Sequence, residues 1–162
     1  MRQHHKVRLG LCIALACSAL PLVWAGAGDT KTAPFKTEYY NGKVVPLAEL
    51  LVKESAKLDA DAAPYWLGLV TDDGKIYPLV KDAGSRMFFK DAKLLKRPMR
   101  LTGRLIPGSM LLQVVNVHSY LQGKLHEVYY WCDICTIRGY EAGICDCCGG
   151  PMDFREVPVK KE

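Results

Sequence analysis

From Gly28 to Trp131 the chain has no cysteine, although it carries seven in all. A stretch of about a hundred residues without a thiol is held by core packing and not by disulfides across it, and that length suffices for a core. No acidic residue occurs before Asp29. Internal repeats and low-complexity segments are also missing, which excludes solenoid architectures. Ser85, Ser109 and Ser119 lack a G-x-S-x-G setting. His126-Glu127 begins like a zincin motif, but Tyr130 stands where the second histidine belongs, and Asp72-Asp73-Gly74 lacks the rest of a calcium loop. With no catalytic constellation and no organic cofactor motif, the sequence reads as non-enzymatic.

The acid-free opening holds Arg2, Lys6 and Arg8, an apolar run from Leu9 to Trp24, and then Ala25-Gly26-Ala27-Gly28. This is the layout of a secretory signal over residues 1–27, with Ala25-x-Ala27 as the peptidase site. The run is shorter than the ~20 apolar residues of a membrane span and contains Pro21. Ala14-Leu15-Ala16-Cys17 has the outline of a lipobox without its usual branched residue. Membrane attachment is therefore expected only through a lipid anchor or an uncleaved signal. The exported protein is expected in the periplasm or outside the cell.

Loss of residues 1–27 takes 22 basic residues to 19 against 17 acidic ones, so a net charge of +5 falls to +2. Nucleic-acid binding needs a basic face, and none is expected here. Hydrophobic content of 49% with 24% charged residues is that of an ordinary globular chain.

Residues 28–36 read as a flexible lead-in, 37–125 as an α+β body, 126–158 as a cysteine-rich module and 159–162 as a basic tail. Asn41-Gly42 between β-forming residues predicts a short hairpin, and Pro46 opens a helix with Leu47, Leu50, Leu51 and Leu58 on one side. Strands from Tyr65 to Thr71 and from Lys75 to Val80 meet across Asp72-Asp73-Gly74. Ser85 would cap a helix running to Leu95, with Met87, Phe88, Ala92 and Leu95 inward. Strands 100–106, 110–120 and 125–131 follow, with turns at Pro107-Gly108 and Gln122-Gly123. Gly103 marks a place where a strand must coil.

Gly68, Gly74-Lys75, Tyr77, Leu79 and Leu101-Thr102-Gly103-Arg104-Leu105 resemble the pattern of small exported bacterial OB-like domains. The resemblance implies a small five-stranded OB-like β-barrel between Tyr65 and Tyr120. It implies no particular function, because such folds host many.

The five cysteines left after residues 1–27 all lie between 132 and 148. Cys132-x2-Cys135 and Cys145-x2-Cys148 are two knuckles, each setting two sulfurs on one side of a tight turn, and two facing knuckles make a four-thiolate site. Zinc is the expected ion, since it accepts four thiolates without geometric preference from d-electrons, and copper is the alternative. Cys147 is an alternative ligand. His118, His126 and Met152 read as ordinary packing residues. Tyr130-Trp131-Cys132, Gly143-Ile144-Cys145 and Cys147-Cys148-Gly149 resemble the heavy-metal-binding domain of bacterial metal-efflux proteins, and the knuckles resemble zinc ribbons. The resemblance implies metal binding. Cys135 stands where that efflux family has histidine, Asp133 replaces a proline, and Met152 falls late.

Two rival readings stay open. One is disulfides, Cys132 with Cys135 and Cys145 with Cys148, whose tiny loops add little stability. The other is thiol–disulfide redox work by Cys132 and Cys135, which normally needs a helix start beneath the nucleophile. The primary expectation is an exported protein with a structural zinc site and an unidentified protein partner, and the alternative is a metal-handling protein exchanging Cu(I) or zinc. Produced in an exporting host, the secreted chain is expected to begin at Gly28. N-terminal sequencing that finds residues 1–27 retained would overturn this expectation.

Overall fold

The computed structural model describes residues 36–53 and 58–160, so the leader lies outside the described residues. The described residues form one compact unit. Within it, strands β1 (Glu38–Pro46), β2 (Leu67–Thr71), β3 (Ile76–Pro78), β4 (Pro98–Leu105), β5 (Leu112–Leu121), β6 (Lys124–Cys132), β7 (Ile137–Gly139), β8 (Gly143–Ile144) and β9 (Pro151–Pro158) build an antiparallel sheet. Its order is β3-β2-β1-β4-β5-β6-β9-β8, with β7 on β6. Two short helices complete it, α1 (Leu47–Lys53) and α2 (Arg86–Lys90).

The sheet is open, where a closed barrel was expected. Strand β3 ends at Pro78, which lacks the N–H a ladder needs, and its continuation meets β5 only at the single parallel bridge Leu79↔Leu112. The expected turn at Asn41-Gly42 is also corrected: β1 runs straight through it, pairing with β2 and β4 at once. Gly42 serves close approach instead of turning, since a Cβ there would lie 2.1 Å from the Val70 carbonyl oxygen.

The hairpin at Asp72-Asp73-Gly74 and the turns at Pro107-Gly108 and Gln122-Gly123 stand as the sequence predicts, and the β4–β5 register slips at Thr102/Gly103. The helix expected over 85–95 is shorter. Asp91 is extended (φ −128°, ψ 101°) and divides α2 from a 3-10 turn at Ala92–Leu94, so Leu94 is buried, Leu95 packs half-buried against the core as expected, and Ala92 is exposed where it was expected inward. Ser85 makes no cap; its hydroxyl donates to the Val80 carbonyl and pins the preceding loop.

The core gathers Val44, Leu69, Met87, Phe88, Leu94, Met99, Leu101, Leu112 and Val117, and continues into Val128 and Tyr130 on β6. Each such side chain removed from water contributes about 1.5–3 kcal/mol. Strand β6 pairs with β9 from His126 to Trp131 along one edge, while β5 and then β7 share the other. The sheet therefore forks at β6. Beyond Met152 the outer edge of β9 carries no strand among the described residues.

Gly42→Ala is expected to destabilise the fold by at least about 2 kcal/mol, because strand β2 blocks the added methyl. Urea denaturation reads the shift, and an unchanged midpoint would contradict the close approach.

Candidate metal centre

Each knuckle is the turn of a hairpin. In the first, Cys132 ends β6 and pairs with Ile137 at the start of β7. In the second, the Cys145 N–H donates to the Gly150 carbonyl (2.7 Å) where β8 returns as β9, and the Gly149 N–H donates to Cys145 (2.8 Å). The two turns have the same frame: cysteine, two residues, cysteine, then a residue in the left-handed region. That residue is Thr136 (φ 54°) in one and Gly149 (φ 70°) in the other. Glycine takes this conformation freely, whereas a β-branched side chain is strained there.

Backbone donors surround the sulfurs. The Cys135 N–H donates to Cys132 Sγ (3.4 Å) and the Gly150 N–H to Cys148 Sγ (3.4 Å). The N–H groups of Cys148 and Cys147 favour the thiolate of Cys145 and draw it down to about 7. Cys135 goes the other way, pushed up by the neighbouring thiols of Cys147 and Cys148. Thiols this close cannot all ionise without a cation among them.

The sulfurs of Cys132, Cys135, Cys145 and Cys148 all lie within 4.8 Å of one another. Four zinc–thiolate bonds of about 2.3 Å arranged as a tetrahedron have edges of roughly 3.8 Å. The Cys132–Cys148 separation, 3.5 Å, is of that size. Donor type, number and spacing thus fit one ion held by four thiolates. The sequence reading and the fold bring together the same four residues. Cys147 is exposed and outside that group.

Burial is graded across the centre. Cys132 (0% exposed) and Cys145 (3%) face inward, Cys135 is half-buried and Cys148 is exposed. Cys132 lies on the same face of β6 as the buried Val128 and Tyr130, and the Tyr130 ring meets that of Phe154 on β9 at a tilt of 58°, with 5.5 Å between ring centres. The Tyr130 hydroxyl donates to Asp91 (2.8 Å), tying the strand below the centre to the end of α2. Arg155 grips both Asp133 oxygens (2.9 and 3.0 Å), and the Ile134 side chain lies over Gly150, so the turns touch beyond their sulfurs. No helix begins at Cys132, which ends a strand and enters a turn.

The expected packing residues lie elsewhere. His118 on β5 faces Glu127, and His126 Nδ1 sits 3.0 Å from the Lys124 carbonyl. Met152 reaches across to Gly139. The supporting pair Arg155–Asp133 and the strained Thr136 escaped the sequence reading; the polar/apolar alternation of Met152-Asp153-Phe154-Arg155 was the available signal for the strand that delivers Arg155.

Comparison with protein-family models, curated proteins and solved structures gives no match to this chain.

Thr136→Gly is expected to stabilise the protein by about 1 kcal/mol by relieving the left-handed strain, without loss of metal binding. Thermal melts of the metal-loaded protein check this, and destabilisation would contradict the strain.

Proposed function

We propose that this is an exported, non-enzymatic protein in which Cys132, Cys135, Cys145 and Cys148 hold one zinc ion as a structural clamp. The observation that carries the reading is the convergence of four sulfurs within 4.8 Å from two hairpins of identical frame. An ion there joins the end of β6 to the turn between β8 and β9, extending past Cys132 the link that the β6–β9 ladder makes up to Trp131 and Asp153. Zinc supplies no redox chemistry at such a site. A closed set of four thiolates leaves it no open position for substrate, which supports a structural role over a catalytic one.

The body is read as OB-like in topology. The strand order β3-β2-β1-β4-β5, with a parallel bridge between the first and last, supports this, although the ladder is open. In this reading the body presents a surface to a protein partner and the clamp fixes the C-terminal segment against it. A second reading is exchange of Cu(I) or zinc. It is favoured by the exposed Cys147, whose thiol acts on the half-buried Cys135.

Native mass spectrometry of the exported protein is expected to find one zinc and five reduced cysteines. Cys132→Ser is expected to abolish binding and to destabilise the whole sheet by several kcal/mol, because the residue continues the Val128–Tyr130 face of the core. A metal-free protein lighter by two or four hydrogens would overturn the clamp. Rapid loss of zinc to a chelator would move the assignment to metal exchange.

A further inference from the structure

The two C-x-x-C pairs invite the assumption that, if oxidised, each closes on itself. The geometry points elsewhere. We propose that oxidation links Cys132 to Cys148 across the two knuckles, expelling the metal while keeping the hairpins joined. The expelled ion rests on the metal reading above, whereas the pairing rests on the thiols alone.

Cys132 Sγ and Cys148 Sγ are in contact at 3.5 Å. Inside the first knuckle the Cys132 sulfur instead receives the Cys135 N–H, and the ladder pair Cys132↔Ile137 holds the turn open. A disulfide within that turn would draw the Cys132 sulfur out of its contact with the Cys135 N–H and strain a turn already paired at Ile137. In the second knuckle the bonds between Cys145 and residues 149 and 150 impose the same resistance. The cross-link asks only that Cys148 advance toward a fixed partner. Cys132 is fully buried at the end of a paired strand, while Cys148 is exposed and followed by Gly149-Gly150. Sixteen positions separate the two, so the link also closes a larger loop than either knuckle could.

Exposure sets the order of events with a hydroperoxide oxidant. The Cys148 thiolate attacks one oxygen of hydrogen peroxide: an S–O bond forms, the O–O bond breaks, and the departing hydroxide takes one proton to become water. The Cys132 thiolate then attacks the Cys148 sulfur: the S–S bond forms, the S–O bond breaks, and the second oxygen leaves as water. Two sulfurs have given two electrons and the peroxide has taken them. Of the four original ligands only Cys135 and Cys145 then remain, with Cys147 beside Cys135, so the closed four-thiolate site is lost and the zinc is released. Oxidation therefore replaces an ionic clamp by a covalent one, whereas chelation removes the clamp altogether.

The test treats the zinc-loaded mature chain with hydrogen peroxide and reads zinc release with a chromogenic chelator, then maps the disulfides without reduction. The expected product is two hydrogens lighter, carries a Cys132–Cys148 cross-linked peptide, has released one zinc, and melts above the reduced, chelator-stripped protein. A Cys132–Cys135 or Cys145–Cys148 link would overturn the proposal, as would retention of zinc without any cross-link. Cys147→Ser is expected to give the same cross-link, and its loss in that variant would overturn the direct route. If the untreated protein holds no zinc, the metal reading fails, and the peptide map still decides the pairing.

Discussion

Strand β6 imposes the constraint on which the rest of the molecule depends. Side chains on a strand alternate between faces, so Val128, Tyr130 and Cys132 necessarily share one. The first two are in the main core and the third is a candidate ligand. Hydrophobic interior and thiol cluster thus form one continuous surface, with no solvent layer between them along this strand. Tyr130 fixes the join. Its hydroxyl is pushed up by burial and by Asp91, so it stays protonated and donates to that carboxylate throughout the neutral range.

The thiol cluster meets this strand with a balanced design. Each hairpin contributes one buried and one more accessible sulfur, and each turns on a left-handed residue just after its second cysteine. The backbone N–H groups aimed at sulfur prepare sites for negative charge before any cation arrives. Proximity works against that charge, as the opposite behaviour of Cys145 and Cys135 records. A cation resolves the conflict. Without one, the cluster is a set of donors in mutual repulsion, and protonation or oxidation are the remaining ways to relieve it.

Local chemistry was the legible part of the sequence. The turns at 72–74, 107–108 and 122–123 follow from residues whose backbone preferences suffice without help from distant partners, and the C-x-x-C spacing specifies its own geometry. What escaped depends on distant neighbours. Asn41-Gly42 carries a short-range hairpin signal, yet Gly42 stays in the strand because Val70 crowds it from the next one. The helical periodicity past Ser85 is interrupted by Asp91, which is held by a tyrosine thirty-nine positions later. Strand β9 was overlooked because prolines at both ends and three charges within it disguise a partner that β6 recruits. Thr136 runs against propensity outright, and only the demand of the turn explains its conformation. The closed barrel was anticipated from a family resemblance; the ladder stays open where β3 ends at Pro78, beyond which only Leu79 bridges to β5.

Those same features of β9 govern how the molecule behaves beside its own copies. Among the described residues no strand covers the outer edge of β9 after Met152, the arrangement that elsewhere invites chain-to-chain growth into fibrils. Pro151 and Pro158 bracket that edge, and Asp153, Arg155 and Glu156 interrupt any apolar run along it. An approaching strand would find its row of donors confined between the two prolines and no uncharged stretch long enough to template on. The segment that was hardest to recognise as a strand is, for the same chemical reasons, poorly suited to seed aggregation.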